Sequence, residues 1–146
     1  MQTAEKIERT ALRNLIHNED YTRKVLPFLK SEYFQDRSER VVFSEIQKFI
    51  SQYNKRPTKE TLQIDLTKRK DLNEDEYKKI VELISTLDPQ EVDIDWLVNT
   101  TEKFCKDRAV HNAVMEGIHI IDGKDKKHTP EAIPEILRDA LSVSFD

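Results

Sequence analysis

The stretch V-D-I-D-W-L-V-N-T-T-E-K-F-C-K-D-R-A-V-H-N-A-V-M-E-G-I-H-I-I-D-G, residues 92–123, decides how this chain folds. Asp93 stands where a helix N-cap belongs and Asp95 falls in the first turn, where a carboxylate meets free amides and the positive end of the helix dipole. Gly123 supplies a left-handed stop at the other end. Between these signals Ile94, Leu97, Val98, Thr101, Phe104, Cys105 and Arg108 recur at three- and four-residue steps, one face of a helix. Beyond Arg108 a second apolar set appears: Ala109, Val110, Ala113, Val114, Gly117, Ile118, Ile120 and Ile121. The far half is apolar over more than one face, so it should bury one side in its own domain and keep another for a neighbouring helix or a second subunit.

The segments on either side read as shorter helices. Ile7, Ala11, Leu12, Leu15 and Ile16 make a first stripe, ended by His17-Asn18-Glu19-Asp20. Tyr21 to Lys30 is a short helical piece interrupted by Pro27, which lacks an amide hydrogen. Ser31-Glu32-Tyr33-Phe34 is a connector whose two aromatics need burial. Val42, Phe43, Ile46, Phe49, Ile50 and Tyr53 give a clean core helix closed by Asn54. Thr58 then caps a weaker helix carrying Leu62, Ile64 and Leu66. Asn73 with Glu76 forms a capping box ahead of Tyr77, Ile80, Val81, Ile84 and Leu87, before Asp88-Pro89 breaks the run. After Gly123, Lys124-Asp125-Lys126-Lys127-His128 is a solvated turn. Thr129-Pro130 or Ile133-Pro134 opens a last helix with Ile136, Leu137, Ala140 and Leu141. The sequence predicts an all-α chain, one structural domain over 1–146: a globule of five to six helices over 1–92, then a long helix and a hairpin over 93–146. Phe43 and Trp96 are expected inside the globule.

Composition narrows the function classes. The chain has 146 residues, 36% of them charged, only two glycines and a net charge of −4, which describes one soluble domain with a real core. No apolar run approaches the roughly 20 residues that span a bilayer, and the amphipathic, charged amino terminus is unlike a signal peptide, so a cytoplasmic location is expected. A single cysteine, Cys105, can form neither an internal disulfide nor a cysteine metal cluster, and its place in the apolar stripe makes it a core residue. The acidic balance argues against general nucleic-acid binding, which rests on clustered Lys and Arg.

Several chemical motifs are approached and missed. Gly117 to Lys124 has five residues between its glycines and Asp125 after the lysine, whereas a phosphate loop needs four and then Ser or Thr, placed at the start of a helix. Glu116 and His119 form a single Glu-x-x-His; di-iron bundles need two such motifs and two further glutamates. His111 and His119 lack the lysine and glycine that follow a phosphorelay histidine. The basic runs Lys68-Arg69-Lys70 and Lys124, Lys126, Lys127 and His128 are flanked or interrupted by Asp and hold no aromatic for base stacking, so solvated turns account for them better. The residues themselves indicate no catalytic, cofactor-binding or metal-binding set.

With no catalytic constellation, the residues read as a helical interaction domain, and they resemble a known family. The order and spacing of Ser31-Glu32-Tyr33-Phe34, Trp96-Leu97-Val98 with Thr101-Glu102-Lys103, Arg108-Ala109 with Asn112-Ala113, Ala132-Ile133-Pro134 with Ile136, Ala140-Leu141-Ser142 and Ser144-Phe145-Asp146 resemble the amino-terminal domain of DnaB-type hexameric replicative helicases, closest to those of T-even-type phages. Phe34, Arg37, Arg40, Val42-Phe43, Ile46 and Pro57 before Leu62 are similar to the more general pattern. The resemblance implies a globule plus a helical hairpin that pairs two subunits, three pairs forming the collar of a hexamer. It implies primase as a partner, sometimes a helicase loader, and DNA met through the hexamer. ATP and Mg would belong to a motor domain that this chain lacks. The hairpin, from about Val110 to Leu141, is expected to pair with its twin through Val110, Ala113, Val114, Gly117, Ile120, Ile121, Ile136, Leu137 and Ala140. A stand-alone helical adaptor without a motor is the rival reading.

Overall fold

A computed structural model describes residues 6–146. Seven α-helices and three short 3-10 turns make up its regular structure, with no strand among the described residues. Helix α1 (Ile7–His17) buries Ala11, Leu12, Leu15 and Ile16 along one face. The polar run after it both ends α1 and starts α2 (Glu19–Val25): the Asn18 side chain accepts from the Tyr21 amide at 3.0 Å. The Thr22 hydroxyl lies within hydrogen-bond distance of the carbonyls of Leu15 (3.0 Å) and Asn18 (2.8 Å), which locks the corner between the two helices. Pro27 sits in a 3-10 turn, Leu26–Phe28, where its missing donor costs nothing. A second 3-10 turn, Ser31–Tyr33, leads into Phe34.

Phe34 is the junction of the core. It is fully buried and stacks on Phe43 with ring centroids 5.2 Å apart, while Phe104 meets it tilted at 5.9 Å. One connector residue therefore joins α3 (Arg37–Tyr53) to α6 (Ile94–Ile121). Asn54 closes α3 in the left-handed region at φ 54°, as its short polar side chain permits. Helix α4 (Lys59–Leu66) is capped by Thr58 and inserts Leu62 and Leu66. Helix α5 (Glu74–Ser85) begins with the full Asn73/Glu76 capping box and inserts Ile80, Leu83 and Ile84.

Helix α6 runs 28 residues, about 42 Å at 1.5 Å per residue. Its Asp93 cap accepts from the Trp96 amide at 2.9 Å, and Gly123 at φ 75° ends it. The first half, through Leu97, Thr101, Phe104 and Cys105, is part of the globule's core. The far half packs against α7 (Ile133–Leu141), which follows a 3-10 turn at Pro130–Ala132 and runs back antiparallel to α6. Both proline signals are used, Pro130 in that turn and Pro134 in the first turn of α7. Past α7 the chain returns to the globule: the Phe145 ring stacks on Phe28 at 4.7 Å and its amide donates to a Glu102 carboxylate oxygen at 2.9 Å.

Three expected core residues lie elsewhere. Trp96 is 56% exposed, because it stands one residue, or about 100°, from the buried Leu97 on the helix. Tyr53 is exposed in the last turn of α3, its ring against Phe49 at 4.7 Å rather than in the core. Ile64 points outward from α4, between the buried Leu62 and Leu66. Cys105 is fully buried, and burial pushes its thiol up to about 12.

Candidate interaction surface

The two apolar faces expected on the far half of α6 are both present, one residue apart. The first consists of Ala109, Ala113, Gly117 and Ile120, all buried. Its small side chains let α7 come close: a Cβ added at Gly117 would stand 3.6 Å from the Ile133 side chain. Ala140 of α7 is buried too, while Ile136 and Leu137 are half-buried against the same core. The second face is Val110, Val114, Ile118 and Ile121, at steps of four, four and three residues. Val110 is half-buried, but Val114 is 45%, Ile118 42% and Ile121 70% exposed, with Met115 beside them and Leu141 of α7 74% exposed.

Of the residues that the sequence places at the pairing surface, Ala113, Gly117, Ile120 and Ala140 are buried within the chain itself, Gly117 beneath Ile133 of α7. Val114 and Ile121 are open, and Val110, Ile136 and Leu137 stand between the two. The structure adds Met115, Ile118 and Leu141 to the open set. Ile118 was visible as part of the second apolar run; only the position of α7 separates it from Ile120.

The hairpin is held rigidly to the globule. Arg108 Nε donates to the Tyr33 carbonyl at 3.1 Å, and Asn112 Nδ2 donates to the Glu32 carbonyl at 3.1 Å. Both carbonyls lie in the 3-10 turn before Phe34, so the arm is fixed to the segment that also organises the core. Such anchoring limits the entropy lost when a partner docks.

The near-miss motifs have structural explanations. The amides of Asp122, Gly123 and Lys124 donate to the carbonyls of Ile118, Ile120 and His119 at the end of α6, so they are not turned toward a phosphate. In the following turn Asp125 meets the His128 ring at 3.1 Å and accepts from the Lys127 amide at 2.7 Å, and the His128 contact first, then the amide, hold its carboxyl below the usual range. Arg69 is bound by Glu45 at 2.9 Å and Asp71 at 2.7 Å, and Lys68 by Asp65 at 3.3 Å. Among the described residues no three His, Cys, Asp or Glu side chains gather as a metal set around Glu116 and His119. No described helix is long and apolar enough to cross a membrane.

An open apolar stripe on an all-helical domain is the kind of surface that protein partners cover. Comparison with known proteins places it more closely: the chain is similar to a DnaB-like replicative helicase of Enterobacteria phage T4, 36% identical over 143 residues. The match covers 92% of this chain and 30% of the relative, so the chain spans less than a third of that helicase's length. The resemblance to DnaB-type helicases agrees with this match over most of the chain. No protein-family model matches the chain.

Proposed function

We propose that this chain is the amino-terminal collar domain of a phage ATP-dependent replicative helicase, pairing with a second copy and recruiting primase at the replication fork. The observation that carries the reading is the open stripe Val114, Ile118 and Ile121 on a hairpin anchored to the globule, in a chain similar to a DnaB-like helicase. An isologous pair would lay this stripe against its twin, with Leu141 at its margin, and three pairs would close a hexameric ring. ATP, Mg and DNA unwinding belong in this reading to the remainder of the helicase, with a helicase loader as a further partner and the host cytoplasm as the compartment. A stand-alone helical adaptor would use the same stripe to bind a different protein, and self-pairing separates the two readings.

Light scattering on the chain from low micromolar to near-millimolar concentration tests the proposal. A mass rising from one copy to two supports it, and a single copy throughout contradicts it. Primase should bind the isolated chain more weakly than it binds the assembled helicase, since a ring offers several linked sites. Equal affinity for chain and assembled ring would remove the need for a collar.

A further inference from the structure

Helix α7 is a weak element by itself. It has nine residues, whereas an isolated helix needs about 12–15 to persist in water. Ala140 is its one buried side chain, with Ile136 and Leu137 half-buried against the core. Polar ties are scarcer still. Among the described residues, 126–146 form a single hydrogen bond with 6–124, from the Phe145 amide to a Glu102 carboxylate oxygen at 2.9 Å, and no ion pair. That bond lies beyond the end of α7, where the Phe145 ring also stacks on Phe28 with centroids 4.7 Å apart and planes 19° from parallel. Both rings are half-buried, and Val143, on the way to them, packs against the core. The first arm of the hairpin, by contrast, is bound to the globule through Arg108 and Asn112.

We propose that residues 142–146 are a strap that holds α7 down on α6, with the Phe145–Phe28 stack as its fastening. When the ring leaves Phe28, α7 lifts as a unit from a globule that stays folded. The physical basis is the uneven distribution of contacts. A short helix with little buried area opens locally at low cost, and an aromatic stack at its far end supplies much of what keeps it closed. Lifting α7 uncovers the inner face of α6 at Gly117, now beneath the Ile133 side chain. The strap thereby controls a second, concealed apolar face on the same arm. Phe28, Glu102 and Phe145 lie outside the outer stripe of Val114, Ile118 and Ile121, so the strap stands or falls separately from self-pairing.

The test is amide hydrogen exchange on the whole chain, followed residue by residue by NMR. In the wild type the amides of α7 from Leu137 to Leu141 should be protected. Phe145→Ala should speed their exchange by about tenfold or more while the amides of α3 and α5 keep their wild-type rates. Phe28→Ala removes the other ring and should act in the same way. Phe145→Tyr keeps a ring to stack and should restore protection. The proposal is overturned by an unprotected α7 in the wild type, by unchanged α7 exchange in Phe145→Ala, or by equal acceleration across α3, α5 and α7, which would make the ring part of the globule's own core.

Discussion

Gly117 is a helix-interior glycine without a conformational reason to be one: its φ is ordinary, and an added Cβ would meet only the Ile133 side chain at 3.6 Å, a normal contact. Gly117→Ala should therefore stabilise the chain by about 0.5–1 kcal/mol through helix propensity, raising Tm by about 2–4 °C in a thermal melt. A fall in Tm would mean that the α6–α7 seam is tighter than this distance indicates. Glu39 makes the opposite kind of prediction. Burial pushes its carboxyl from 4.5 up to about 7, reinforced by Asp36 and Glu8 and opposed by Arg9 and Lys6. The folded state holds a proton that the unfolded state releases, so between pH 4.5 and about 7 the unfolded state binds fewer protons and stability falls as pH rises. Urea unfolding of Glu39→Gln against wild type should show the variant gaining on the order of 1–2 kcal/mol relative to wild type across that window. Parallel pH profiles would refute the assignment.

At the scale of elements, the ends of the helices were legible in the sequence because capping is local. Asp93, Asn54, Asn73 with Glu76, and Gly123 each act on amides or carbonyls within a few residues, and all do so in the structure. The direction each face takes was less legible. Trp96 against Leu97, or Ile118 against Ile120, differ by one or two helical steps, and only the position of a neighbouring helix decides which is covered. The tie between α2 and α6 is likewise a product of the fold: the Tyr21 hydroxyl and Thr101 Oγ1 lie 2.8 Å apart, both residues fully buried and 80 positions apart in sequence. Burial pushes the Tyr21 hydroxyl well above its ordinary range, so it stays neutral. Tyr21→Phe should cost about 1–2 kcal/mol in chemical denaturation, since it leaves the buried Thr101 hydroxyl without this partner. No loss of stability would show that Thr101 finds another acceptor.

Across the whole molecule α6 divides its labour: one half completes the globule around Phe34 and the other packs against α7, and in the proposed reading its outer stripe meets a second copy. The sequence made the surplus of apolar surface visible but not its apportionment between the hairpin seam and the open stripe, because that depends on where α7 lands. The division can be read by sedimentation velocity and circular dichroism on four chains: wild type, Ile118→Asp, Ile120→Asp and Ile64→Asp, the last an exposed apolar residue of α4 outside the hairpin. The wild type and Ile64→Asp should sediment as dimers at high concentration, and Ile118→Asp as a folded monomer. Ile120→Asp should lose on the order of 3 kcal/mol or more of stability, because it places an unpaired charge at a buried position of α6. A folded Ile118→Asp that dimerises as well as the wild type would contradict the assignment of the outer stripe as the pairing surface.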